Sequence, residues 1–234
     1  MPLNYELSKE AALLSSLAFI RTTLSARSPI QRFSTVLLSA LVLILTGCSS
    51  VPPTQENYSV DWQAQKQTLE QLNTFKATGK IGYKDSEHRQ SLNFILKHAS
   101  SYSELKLLSV FGQTMLTVQM TPTGAMVTNS DGQVQTAQQA NTLIEHLTGL
   151  AIPVSQLPDW IKGLPTQADN VIFNQANTVE SLTKSIDNRE WNLTYQSYQS
   201  VVNKQQSITL PKQMLLHQND TNTEIKILIS KWIL

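Results

Sequence analysis

The sequence predicts an α+β domain in which short helices cover one face of an antiparallel sheet. Three observations lead there. From residue 75 onward the apolar residues recur at every second position, the period of half-buried strands. Between about 137 and 162 they recur at helical spacing, punctuated by Gly and Pro. From Val171 the strand pattern returns. Strands on either side of a helical insert place the helices against one sheet.

The elements follow in order. Trp62, Leu69 and Leu72 fall on one helical face with Asp61 near the positive end, so an amphipathic helix is expected over about 59–72. Phe75, Ala77, Gly79, Ile81 and Tyr83 then alternate with their neighbours, as do Leu92, Phe94 and Leu96. Leu105 with Leu107, and Leu116, Val118 and Met120, continue the pattern. Turn signals separate these runs at Lys84-Asp85-Ser86, Ser100-Ser101, Pro122-Thr123-Gly124 and Ser130-Asp131-Gly132. Ala140, Leu143, Ile144 and Leu147 predict a helix over 137–148, stopped by Gly149. Leu157, Trp160 and Ile161 predict a shorter one over roughly 155–162. The closing strands carry Trp191, Leu193 and Tyr195, then Met214 and Leu216, then Ile225, Ile227 and Ile229. A curved sheet with helices in its mouth can enclose an apolar cavity.

Ahead of this domain lies an export signal. Residues 35–46 form a short apolar run behind Arg27 and Arg32, too short to span a bilayer comfortably. The run ends Leu45-Thr46-Gly47-Cys48, which resembles the lipobox of bacterial lipoproteins, where the thiol is joined to diacylglycerol and the chain is cut before the cysteine. Residues 1–47 are therefore expected to be a lipoprotein signal peptide, with an unusually long stretch before the apolar run. Residues 48–57, small, polar and proline-bearing, are expected to be a lipidated tether, and 58–234 the domain. Ser49 follows the cysteine where an Asp would retain an enteric-type lipoprotein at the inner membrane, which implies the outer membrane, periplasmic face.

Composition narrows the function. With 41% hydrophobic and 15% charged residues the chain can build a real core. Removing residues 1–47 leaves 14 basic and 15 acidic residues, a net charge of −1 with no basic stripe, so a nucleic-acid partner is not expected. The lone cysteine excludes an internal disulfide. His88, His98, His146 and His217 show no pairing at helical ligand spacing, and no hydrolase, zincin, P-loop or dinucleotide motif is present. Neither metal nor cofactor nor catalysis is expected.

Two stretches stand out. Residues 147–154 lead into 157–165, reading as a helix pair with Gly and Pro punctuation or, functionally, as an apolar lid. Val110, Phe111 and Gly112 fall where a turn between strands is expected. Exposed, such a turn would touch a membrane or a partner; alternatively it is buried, or simply continues the strand.

These residues carry a resemblance. The lipobox at Leu45–Cys48, the L-T-G-x-x-I-P stretch at Leu147–Pro153, the W-I-x-G-L-P run at Trp160–Pro165, the turn at Phe111-Gly112 and the closing K-x-x-x-S-K-W-I pattern at Lys226–Ile233 resemble the LolB family over about residues 58–234. The helix-pair motif is its specific part. One departure is Val110, where the family commonly has Pro, with Phe111 in place of the more usual Leu.

The resemblance implies an open, unclosed antiparallel β-barrel with short helices as a lid over an apolar cavity. It implies a monomeric receptor that accepts client lipoproteins from a LolA-type periplasmic carrier, holds their acyl chains and inserts them into outer-membrane lipid. Cys48 is then the lipidation site and Val110, Phe111 and Gly112 the membrane-insertion loop. Leu92, Phe94, Leu116, Val118, Leu147, Ile152, Leu157, Trp160 and Ile161 are the candidate cavity lining. Two alternatives stand beside it: a structural or assembly lipoprotein whose lid region is only core, and a lipid-modifying enzyme.

Overall fold

The computed structural model describes residues 59–234; the signal, Cys48 and the tether lie outside the described residues. The chain opens with α1 (Trp62–Gln71), capped by Asp61, whose carboxylate accepts from the N–H groups of Gln63 and Ala64 at 2.9 and 3.4 Å. Leu69 and Leu72 are buried, and Trp62 meets Phe173 edge to face with ring centroids 4.9 Å apart.

Six strands follow as hairpins: β1 (Thr74–Lys84), β2 (Arg89–Ala99), β3 (Tyr102–Leu108), β4 (Thr114–Thr121), β5 (Gly124–Asn129) and β6 (Val134–Ala137). Then come α2 (Ala140–Thr148) and α3 (Leu157–Trp160). The chain finishes with β7 (Asn170–Phe173), β8 (Val179–Ile186), β9 (Arg189–Asn203), β10 (Gln206–Gln218) and β11 (Thr223–Ile233). All eleven strands form one sheet in the order β6-β5-β4-β3-β2-β1-β11-β10-β9-β8-β7, every pair antiparallel. The first strand joins the last, and β6 and β7 remain as separate edges, so the sheet is open.

Register explains which face is buried. Ala77, Gly79 and Ile81 oppose Leu96, Phe94 and Leu92 across β1–β2, and Ile81 opposes Ile227 across β1–β11. The same face continues through Leu105 and Leu107, Leu116 and Val118, and Met214 and Leu216. Into this face pack Leu143 and Ile144 of α2, then Leu150, Ile152, Val154, Leu157, Trp160, Ile161 and Leu164. Gly79 sits where β1 shifts register against β11; a Cβ there would lie 1.9 Å from the Leu228 carbonyl oxygen, so that strand approach admits no side chain.

The α+β expectation is corrected by these proportions. The described domain is mostly sheet, with helices of 10, 9 and 4 residues plugging one face. The helix expected over 155–162 is a single turn, because the N–H groups of Lys162 and Gly163 bond to Asp159 and Trp160, three residues back, and end it. Strands β5, β6 and β8 add sheet where the alternation is weak. In β8 a bulge opposite Ile172 and Phe173 resets the register, so its buried residues Val179 and Leu182 are spaced by three.

Candidate functional site

The nine positions expected to line a cavity are brought together. Phe94, Leu116, Val118, Ile152, Leu157, Trp160 and Ile161 are buried in one cluster, with Leu92 and Leu147 packed against it. Two clefts, of about 490 and 560 Å³, are lined by other residues around the β2–β3 and β4–β5 turns. At the nine positions side chains of the sheet and of the helical segment pack against one another.

The helical segment is tied to the sheet by a few polar contacts. Arg189 of β9 forks onto Glu145 of α2, at 2.9 Å from Nη1 to Oε2 and 2.7 Å from Nη2 to Oε1. The buried Tyr195 hydroxyl donates to the Trp160 carbonyl at 2.8 Å; burial pushes its pKa well above the ordinary phenol value, so it remains a donor. Asn141 accepts from the Ser155 N–H at 3.0 Å, joining α2 to the start of the next turn. Gly149 ends α2 with φ at 71°, its N–H on the Glu145 carbonyl. The Trp160 indole N–H is buried without a hydrogen-bond partner.

The turn between β3 and β4 is exposed. Phe111 is 90% exposed and Val110 69%, which decides against a buried turn or a continued strand. The Ser109 N–H donates to the Gln113 carbonyl at 2.9 Å and the Gly112 N–H to the Ser109 carbonyl at 3.0 Å, with Gly112 at φ 82°. The β5–β6 turn has the same geometry. There the Asn129 N–H donates to Gln133 and the Gly132 N–H to Asn129, both at 3.1 Å, with Gly132 at φ 79°. Its two central residues are Ser130 and Asp131. Both turns lie at the same end of alternating strands, so the backbone does not require Val-Phe at the first of them.

Sequence reasoning missed two neighbours of that turn. Met115 and Val134 are large exposed apolar residues at the same end of β4 and β6. Their signal was available: Val134 follows a turn that should lead into a polar edge.

The model of the family described as outer membrane lipoprotein LolB matches residues 73–232. The chain belongs to the LolB family. An outer-membrane lipoprotein LolB of Vibrio campbellii is 45% identical over 203 residues, 87% of this chain and 97% of the relative. One of Vibrio parahaemolyticus is 46% identical over 190 residues, 81% of this chain and 92% of the relative. Members of the LolB family are receptors in lipoprotein trafficking, working with LolA-type carriers and lipoprotein clients, and are not enzymes. This chain is thus an outer-membrane lipoprotein of that system, and the assembly-protein and lipid-modifying alternatives fall away. Among solved structures, a LolA superfamily protein from Nitrosomonas europaea aligns with a TM-score of 0.41 at 8% identity, covering 75% of this chain and 94% of that one.

Proposed function

We propose that the mature protein, cut before Cys48 and lipidated there, accepts clients from a LolA-type carrier, holds their acyl chains against the inner sheet face and inserts them through the Val110-Phe111-Gly112 turn. Residues 1–47 are the signal, 48–57 the tether and 58–234 the receptor domain, which acts as a monomer. Acyl chains part α2 from the sheet and lie against Leu92, Phe94, Leu116 and Val118, while the turn from Leu157 to Gly163 stays seated. On the lid side they meet Leu147, Ile152, Leu157, Trp160 and Ile161. At about 0.8 kcal/mol per methylene, a chain of roughly 15 methylenes is worth about 12 kcal/mol out of water. A client therefore needs continuous shelter, and without a nucleotide site the transfer runs downhill from carrier to receptor to membrane.

The observation that carries this reading is Phe111, 90% exposed on a turn whose structural twin holds Ser130 and Asp131. Burying one such ring is worth about 1.5–3 kcal/mol, enough to orient a tethered protein on a bilayer and too little to anchor it. Phe111→Glu is expected to leave melting temperature and client acceptance close to wild type while blocking delivery into liposomes. Delivery at the wild-type rate by the folded variant would remove the insertion role.

A further inference from the structure

At the opposite end of the sheet from the Phe111 turn, Lys162 is buried, its side chain only 4% exposed. Burying an ammonium is costly unless its donors are used. The partners it has among the described residues are Asp159, with Nζ 3.3 Å from Oδ1, and the Phe75 ring, with Nζ 5.8 Å from the centroid. An ammonium has three donors to place. It faces the cleft of about 560 Å³, whose other polar walls include His98 and Ser103, joined at 2.8 Å from Nδ1 to Oγ. Met120, Ala125, Ala140 and Leu164 add apolar lining, and of these Ala125, Ala140 and Leu164 belong to the core cluster.

We propose that this cleft holds the ester carbonyls at the head of a client's diacylglyceryl group, with Lys162 as the principal donor. The inference rests on the acyl-holding function above and gives it a direction. The charge balance selects the ligand. Glu70 and Asp159 also line the cleft, so it carries no net positive charge and disfavours a phosphate, whereas a neutral carbonyl needs only a donor. Burial first, and then the Lys162 charge, lower the His98 pKa, so this wall adds no second cation. With the head here, the acyl tails point along the sheet towards the turn at the far end, and the client polypeptide leaves on the side away from that turn.

The test uses the mature lipidated protein below the micelle concentration of its detergent. The probes are an S-diacylglyceryl-cysteine peptide and its S-dialkylglyceryl ether analogue, matched in chain length. Lys162→Met keeps the stem and leaves Asp159, which is 39% exposed, to be solvated. The variant should bind the ester probe about tenfold or more weakly than wild type and the ether probe equally well. Equal binding of the ester probe by both proteins would overturn the carbonyl site. So would a parallel loss of both probes, which marks Lys162 as a folding residue, or competition by inorganic phosphate. Failure of the wild-type protein to take up either probe would instead overturn the acyl-holding function itself.

Discussion

Asp85 closes the β1–β2 hairpin with its carboxylate. Its Oδ1 accepts from the N–H groups of Glu87 and His88, and Oδ2 accepts from the Tyr83 hydroxyl at 2.8 Å. Burial by itself would raise the Asp85 pKa, but these donors outweigh it and hold the group at about 2. Because the folded value lies below the unfolded one, about 3.9, the stabilisation is present above that pH and is lost as pH falls through about 2. Asp85→Ala should therefore lower stability by about 1 kcal/mol at neutral pH. In urea unfolding series the gap to wild type should narrow between about pH 4 and pH 2. A gap independent of pH would show that the charge is irrelevant to the turn. Phe111 is the reverse case, a side chain with no structural duty, since the Asn129–Gln133 turn forms the same hydrogen bonds around Ser130 and Asp131.

The α2–α3 segment is the element whose behaviour decides between a static core and a movable plug. Trp160 is completely buried, so Trp160→Asp would unseat the fold, with loss of such a ring alone costing about 3–5 kcal/mol. The informative change is at the tether between elements. The Arg189–Glu145 fork has side chains 32% and 38% exposed, and a pair that well solvated is worth only about 0–1 kcal/mol to the fold. Arg189→Ala should leave the melting temperature within a few degrees of wild type while raising amide hydrogen exchange across α2 and speeding client uptake. Exchange in Ala140–Thr148 unchanged by the substitution would argue that this fork does not hold the segment closed.

For the whole molecule the sheet topology sets what can open. Because β6 and β7 are separate edges, the inner face is covered by the α2–α3 segment instead of being sealed by strand closure. Parting α2 from the sheet exposes apolar surface on that face without breaking a ladder of backbone bonds. On the proposed reading the anchor at Cys48 supplies location only. Cys48→Ala should yield an unlipidated protein without its covalent anchor, whose domain still accepts clients. Mass spectrometry showing no acyl groups on the wild-type mature N-terminus would contradict the anchor.

Much of this was legible in the chain. Alternation from Phe75 to Met120 and from Trp191 to Ile229 identified the inner face, because a residue period of two survives any arrangement of strands. Asp61 and Gly149 marked helix ends through local hydrogen bonding alone. β8 and the first half of β10 were hidden, the first by a bulge that breaks the alternation, the second by buried Ile208, Thr209, Leu210 and Pro211 in an unbroken run. The sequence by itself determined the local elements and the unusual Val-Phe turn, since each depends on neighbours within a few residues. Only the tertiary structure decided that Phe111 is exposed, that the nine candidate lining residues meet in one cluster, and that Lys162 is buried beside His98 and Ser103. Those facts depend on which distant strands and turns meet.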